Sequence, residues 1–450
     1  MKIDCKRFVL CFVMTIASAM TLSAQSVVEP VIGSLDLTLD KAIEIALAEN
    51  PTIKVAEKEI QLKQVAHTEA WQALLPTLGI SATMQHTILA ATMNLGGNSF
   101  KMGQDNTNTA TGTATLNLPL FAPTVYQNIK MSKEDILLAK EKSRNSKLDL
   151  VNQVTKAYYS TILAQDSYRV MEKSFHTAKV NYDVVSEKYN VGKVSEYDKI
   201  SAEVQMRAMN SSLVSAQTGF SLATLRLKVL MGITENIDIV INDSLSNYRD
   251  ILVLPDVNTG EATLKNNSSL RQMDMNISIL QRTRKVLKTS FMPTLSMALS
   301  GQYQSLYNKD WNVFGYHYSP SASMVFTLNI PIYQPSNWTK LKTNKVKIAQ
   351  LQDQREDTRR KLVMSIETYL QNMASTIAQV NSNAEAVRQA EKAVMISSKR
   401  YEVGRGTILE LNQSETAETE AELTYVQSIY DYLSNKADLD YALGQENYIK

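Results

Sequence analysis

Between Leu78 and Gln85 hydrophobic and polar positions alternate one for one, with Leu78, Ile80, Ala82 and Met84 set against Gly79, Ser81, Thr83 and Gln85. The same alternation returns three times. Ala114, Leu116, Leu118 and Leu120 alternate with Thr113, Thr115 and Asn117; Leu295, Met297 and Leu299 with Ser296, Ala298 and Ser300; Met324, Phe326, Leu328 and Ile330 with Ser323, Val325, Thr327 and Asn329. A period of two marks strands whose two faces meet different surroundings. It predicts four strands, over 77–86, 112–121, 294–303 and 321–332, each with one apolar face and one small, polar, uncharged face.

Elsewhere the period is helical. Residues 38–74 read as helix, stopped by Leu74-Leu75-Pro76. From about Asn337 to Tyr401 there is neither Gly nor Pro, room for a helix of roughly 95 Å. Within it Ile366, Met373, Val380, Val387, Val394 and Tyr401 stand seven apart, as do Val154, Thr161, Tyr168, Phe175, Tyr182 and Tyr189 earlier in the chain. Sustained sevens keep one seam facing a partner at 3.5 residues per turn and predict left-handed coiled-coil packing; the alternative, an ordinary bundle, is disfavoured because a small globular domain has no room for a helix of that length. Each run ends at Tyr-x-Val-Gly: Tyr189, Val191, Gly192 and Tyr401, Val403, Gly404. The glycine stops the helix. Ser195 with Asp198, and Thr407 with Glu410, then read as capping boxes that start the next helix.

The chain contains this pattern twice. Leu75-Pro76-Thr77-Leu78 returns 217 residues later as Met292-Pro293-Thr294-Leu295, while Tyr189, Val191, Gly192 and Gly232 return 212 later as Tyr401, Val403, Gly404 and Gly444. The difference of five falls between Pro76 and Thr115, in a loop longer in the first copy. Each copy reads helix, strand, loop, strand, long helix, turn, helix. The organisation expected is a signal segment over 1–24, a first repeat over 25–245 with its hairpin tip at 189–198, and a second over 246–450 with its tip at 401–410.

Lys2, Lys6 and Arg7 before an apolar run from Phe8 to Ala19 read as a secretory signal, with cleavage near Ala24; a retained amphipathic anchor is the other reading. Both cysteines, Cys5 and Cys11, lie in it, so the mature chain offers no disulfide, no cysteine metal ligand and no cysteine nucleophile. Removing it leaves 44 charges of each sign, a balance that does not favour nucleic acid. No later stretch is apolar for long enough to form a membrane-spanning helix.

The strands admit two settings. A half-buried soluble sheet alternates in the same way. Two features favour an outer-membrane barrel: segments of about ten residues match the hydrocarbon thickness, and all four lack charge. The segment joining the last two carries Tyr303, Tyr307, Trp311, Phe314, Tyr316 and Tyr318, as an interfacial aromatic girdle would. Four strands cannot close a barrel, and an open edge cannot sit in lipid, so several chains must share one.

Together these pieces resemble the TolC-like outer-membrane efflux protein family. The resemblance rests on Leu37-Thr38-Leu39 before Ala42 and Asn50-Pro51, on Leu75-Pro76-Thr77-Leu78, on Leu118-Pro119-Leu120-Phe121 and Ile330-Pro331-Ile332-Tyr333, and on the two Tyr-x-Val-Gly turns. It covers about residues 36–446. It implies a mainly α fold with a β-barrel part, closing as a homotrimeric 12-stranded barrel on an α-helical tunnel, with four strands from each chain. The function implied is the outer-membrane exit duct of a tripartite efflux or type I secretion system. Such a duct passes small molecules or proteins from a periplasmic adaptor and an inner-membrane pump of the RND or ABC type. By position, the resemblance places Glu410 where a lumen-facing Asp of the closed inner tip lies, and Gln413 where a second Asp lies. The gate-linking Arg falls on Gly406, with Arg405 one residue earlier. Asp198 matches the acidic partner on the other hairpin, and Tyr197 replaces a small hydroxyl. The hairpin turns, Tyr189, Val191, Gly192 and Tyr401, Val403, Gly404, are the expected adaptor-docking surface. The alternative role for Glu410 and Asp198 is helix capping alone.

Signs of enzyme chemistry are absent from the sequence. His67, His86, His176 and His317 lack metal-ligand spacing, and there is no Gly-rich phosphate loop, His-Glu-x-x-His or Gly-x-Ser-x-Gly. Gly96-Gly97 sits in an Asn/Thr-rich segment, 94–111, that reads as an external loop. The 19 methionines admit soft-metal export, but Met also fills helical seams and lipid-facing positions. No cofactor is expected. The alternative to a channel is a periplasmic or surface coiled-coil structural protein without a pore; an exported enzyme is the remaining class.

Overall fold

Asn50-Pro51 divides the first helical stretch. In the computed structural model, which describes residues 34–96, 98–233, 237–257, 260 and 264–446, helix α1 covers Leu39–Glu49 and α2 covers Pro51–Gln72. The single helix expected over 38–74 is therefore two. Pro51 has no N–H to continue the ladder and sits where a proline is tolerated, in the first turn. Asn50 turns extended and caps α2, its Oδ1 accepting the Thr52 N–H at 2.8 Å. The signal segment, 1–24, and Gly97 lie outside the described residues.

A short parallel pair, β1 (Ser34–Asp36) and β6 (Asp238–Val240), forms a small unit of its own, extended by the Leu37 N–H to the Val240 carbonyl at 3.0 Å. The remaining elements form the main unit. Its strands are β2 (Thr77–Thr87), a hairpin of β3 (Ala91–Leu95) and β4 (Asn98–Met102), β5 (Thr107–Phe121), β7 (Thr294–Asn308) and β8 (Ser319–Asn329).

Strands β2, β5, β7 and β8 make one antiparallel sheet in that order. The register joins the alternating residues of all four into two faces. Leu78, Leu116, Leu299 and Met324 lie across one row, and Leu118, Met297 and Phe326 across the next. Gly79, Thr115, Ser300 and Ser323 make a row of the other face, where the Ser300 and Ser323 hydroxyls bond at 2.8 Å. The apolar face is bare: Leu78 is 70% exposed, Ile80 82% and Phe326 60%. Among the described residues the outer strands β2 and β8 have no partner on their far sides.

The strand limits differ from those expected. The second and third strands are longer, because Thr107–Thr111 and Gln304–Asn308 continue the ladder beyond the alternating part. Tyr303 and Tyr307 consequently belong to β7 and not to the aromatic loop. The fourth strand ends at Asn329, before Pro331, which has no N–H to give to a ladder. The external loop expected over 94–111 is not a single loop: the β3–β4 hairpin begins before it, at Ala91, and Thr107–Thr111 already belong to β5, with Asp105 accepting the Ala90 N–H at 2.7 Å at the hairpin's base.

The helices obey the duplication closely. Helix α3 (Pro123–Asn190) and α6 (Pro335–Glu402) have 68 residues each, about 100 Å of helix. Their returning partners α4 (Glu196–Met231) and α7 (Ile408–Leu443) have 36 each, while α5 (Ser268–Thr289) matches α2. Val154, Thr161, Ile366, Met373 and Val380 of the heptad seams are buried; Tyr168, Phe175, Val387 and Val394, nearer the turns, are half-buried. Among the described residues no helix is long and apolar enough to cross a membrane.

An interlock repeats where the returning helices end. Asn50 Nδ2 donates to the Leu230 carbonyl at 2.7 Å, and Asn267 Nδ2 to the Ala442 carbonyl at 2.8 Å, while each Asn caps its own helix. The glycines ending α4 and α7, Gly232 (φ 73) and Gly444 (φ 65), press against the chain just before those asparagines. Only a residue without Cβ satisfies both the left-handed backbone and the close approach.

Candidate functional site

The two hairpin turns meet. Val185 of α3, Ala202 of α4 and Ile408 and Leu411 of α7 form a buried apolar cluster, with Tyr182, Val194 and Tyr401 packed on it. Gly192 (φ 73) and Gly404 (φ 72) close the long helices in the left-handed conformation. The following N–H groups, of Lys193 and Arg405, reach back to the Lys188 and Arg400 carbonyls at 2.8 Å each. These are the bonds of a Schellman stop. Val191 and Val403 stand exposed at the apices.

The expected site residues fall into separate settings. Asp198 completes a capping box with Ser195: the Asp198 N–H donates to Ser195 Oγ, and the Ser195 N–H returns to Asp198 Oδ2, both at 3.2 Å. In the second copy only half of the expected box forms. The Glu410 N–H donates to Thr407 Oγ1 at 3.2 Å, but the Glu410 carboxylate turns to Arg400, 3.5 Å away. A Glu at this position has one methylene more than Asp, and a guanidinium lies within its reach. Both partners are about half exposed, so the pair contributes little to stability. Gln413 and Arg405 are exposed; the Arg405 carbonyl accepts from Arg400 at 3.4 Å. Tyr401 and Tyr189 each carry a lysine over the ring at 5.0 Å, Lys188 and Lys199 respectively. The Tyr401 hydroxyl is buried without a hydrogen-bond partner, and burial, with Asp198 nearby, pushes its pKa up.

Above the turns lies a second polar cluster that carries no local pattern in the sequence. Lys173 of α3 donates to Glu418 and Glu422 of α7 at 2.9 and 2.7 Å. Glu391 of α6 joins the same two carboxylates, with ligand atoms within 4.8 Å of one another. One turn nearer the tip, Glu415 is held by Asn181, and Gln205 of α4 bonds Thr416. Burial raises the Glu415 pKa to about 7, against the Asn181 amide, which lowers it.

A carboxyl raised in the folded state is stabilising while protonated. That stability is lost as pH climbs from about 4.5, its usual value, through about 7. Replacing Glu415 by Gln should therefore stabilise the protein at pH 8 by about 3 kcal/mol, and at pH 4 hardly at all. Thermal melts followed by helical circular dichroism check this; equal gains at both pH values would contradict it.

Two stripes run from the tips toward the sheet. On α7, Glu410, Gln413, Ala417, Glu420, Thr424 and Gln427 are three and four residues apart, all exposed, none a large apolar residue. On α4, Tyr197, Ile200, Val204, Val214, Leu225 and Val229 are exposed apolar residues on a helix of the same hairpin bundle. Coiled-coil seams are apolar where helices meet and polar where they face water. The α4 stripe thus has the character of an interface, and the α7 stripe that of a wetted wall.

Most of the chain has parallels among known proteins. The family model for outer membrane efflux protein matches residues 42–233 and 260–445. Outer membrane protein TolC of Escherichia coli (strain K12) is 21% identical over 413 residues, covering 88% of this chain and 80% of the relative. Among solved structures, CusC superposes with a TM-score of 0.73 at 17% identity, over 91% of this chain and 92% of the other. The open-state MtrE outer membrane channel of Neisseria gonorrhoeae superposes with a TM-score of 0.71 at 17% identity, over 90% and 88%. With a lipid-compatible sheet at one end and duplicated helical hairpins at the other, the chain belongs to the outer membrane efflux protein family, an exit duct of the outer membrane that extends into the periplasm.

Proposed function

We propose that three copies of the chain close one barrel and one helical tunnel, and that the tunnel's inner end is constricted at the α6–α7 turn. The observation that carries the reading is the sheet. It has an apolar face without cover and two unpaired edges, β2 and β8. In lipid every strand N–H and C=O needs a partner, so β2 of one copy pairs with β8 of the next until the ring closes. The apolar stripe of α4 continues the same contact down the helices, and the polar stripe of α7 faces the lumen. A coiled-coil structural protein without a pore would use the helices equally well, but it gives no reason for a charge-free sheet with a bare apolar face.

In this reading the exposed turns around Val191 and Val403 dock a periplasmic adaptor, which joins the duct to an inner-membrane pump. Glu410 stands at the narrow end with Gln413 one turn inside. Three Glu410 carboxylates around a small aperture favour cations, as acidic rings do in cation-selective pores. Arg400 beside each one offsets that charge. Glu410→Gln removes the carboxylate and leaves Arg400 facing the lumen, so ion preference should move toward anions. Planar-bilayer conductance and reversal potentials of the two proteins test the reading. A measurable pore whose reversal potential shifts supports it. Unchanged potentials would remove Glu410 from the gate, and the absence of any conductance from both proteins would argue against the duct.

A further inference from the structure

The two copies differ sharply in charge next to the sheet. Between Asp274 and Asp353 the chain carries nine Lys and Arg and one acid, Asp310. The matching stretch of the first copy, 58–140, carries six cations and five anions. The excess sits at helix ends beside the strands. Arg282, Arg284, Lys285 and Lys288 occupy the last turns of α5, which ends at Thr289 just before β7. Lys340, Lys342, Lys345 and Lys347 occupy the first turns of α6, which begins at Pro335 just after β8.

Between these two helix ends runs a groove of about 570 Å³. Leu280 and Leu287 give it an apolar floor with Thr283 between them, and the exposed Lys340 and Lys347 line its α6 side. Asn344 also lines it. This side chain is buried, its Nδ2 donates to the Leu280 carbonyl at 3.2 Å, and its Oδ1 has no hydrogen-bond partner. A buried acceptor left open is costly unless a ligand or water supplies a donor.

We propose that this groove holds an anionic phospholipid of the outer membrane's periplasmic leaflet, with an acyl chain along Leu280 and Leu287 and the phosphate at Lys340 and Lys347. The proposal rests on the reading that the sheet spans the membrane, which puts the groove along the roughly three helical turns next to the strands, its near end at the lipid headgroups. Apolar floor, paired cations and an open acceptor are complementary to an acyl chain, a phosphate and a headgroup hydroxyl. Phosphatidylglycerol offers all three. Phosphatidylcholine carries a compensating cation and no headgroup donor. Lipid contact of this kind would hold the helix pair at a fixed height below the barrel, because each lysine near an anionic surface adds to the attachment.

Native mass spectrometry of the purified, assembled protein tests this, with phosphatidylglycerol or phosphatidylcholine titrated as the probe. The wild type should retain phosphatidylglycerol over phosphatidylcholine by about thirtyfold, the order expected for two lysines at a lipid surface. Lys340→Gln with Lys347→Gln should bring that ratio near one. Lys342→Gln with Lys345→Gln, cations of the same turns that do not line the groove, should leave it unchanged. Leu280→Trp, which fills the floor, should abolish the retained lipid. Loss of assembly mass would identify a misfolded variant, and the two lysine pairs then decide the matter. Equal retention of the two lipids by the wild type, no retained lipid, or the same loss from both lysine pairs would overturn the proposal. Failure of the wild type to conduct in bilayers would strike the spanning reading, independently of lipid retention.

Discussion

A lysine at Met324 should prevent the protein from accumulating as a folded outer-membrane assembly, while a lysine at the adjacent Ser323 should leave assembly nearly intact. Met324 lies at the middle of β8, opposite Leu299, in a row that continues through Leu116 to Leu78. Ser323 points to the other face, opposite Ser300. A lysine on the lipid side at mid-depth costs about 2–4 kcal/mol, and one in a watery lumen far less. Leu328 lies on the apolar face too, but it is the last residue but one of the strand, where the penalty is smaller. Heat-resistant oligomer in the membrane fraction is the readout. Equal defects from the two substitutions would mean that both faces are buried in protein.

Gly444→Ala should lower the unfolding free energy by about 2–4 kcal/mol, and Gly192→Ala by about 1 kcal/mol. Both glycines have φ near 70°, 65 and 73, and an L-residue there costs about 1–2 kcal/mol. They differ in what a Cβ would meet. At Gly192 nothing lies within 4 Å. At Gly444 the new methyl would run into the Asn266 carbonyl, next to the asparagine that caps α5 and holds the end of α7. Arg144 donates to that same Asn266 carbonyl and to the Gly444 carbonyl, both at 3.0 Å, so the backbone has little freedom to withdraw. Thermal unfolding of the two variants in parallel separates strain from collision. Equal shifts would show that the interlock yields.

The parts of this protein legible in the sequence are those with a period. Alternation at Leu78–Gln85 and its three returns gave the sheet and its two faces, sevens from Ile366 to Tyr401 gave the packing seam, and the Gly- and Pro-free run from about Asn337 to Tyr401 gave a helix of nearly the right limits. Duplication made each element visible twice. The β3–β4 hairpin escaped because strands of five residues among Asn, Gly and Thr are too short to establish a period. Pro51 ended a helix that the apolar pattern carried straight through, since Asn50 needs only one extended residue to restart it.

At the tips, local signals found the turns and the caps but not their partners. Arg400 reaches Glu410 across the turn, while Lys173 meets Glu418 and Asn181 meets Glu415, each pair more than 200 residues apart in the chain. Nothing in a single strand of sequence records such a meeting. The buried Tyr401 hydroxyl and the raised Glu415 likewise depend on packing between helices, which spacing along one helix does not reveal.

In the proposed assembly each chain is one part of a closed ring. Native mass spectrometry of the intact particle, extracted in mild detergent, tests this. The expected result is a single species of three chains that persists on dilution, because each unpaired edge of β2 and β8 is covered only in a closed ring. A stable folded monomer of the same chain, with its sheet edges open, would contradict it.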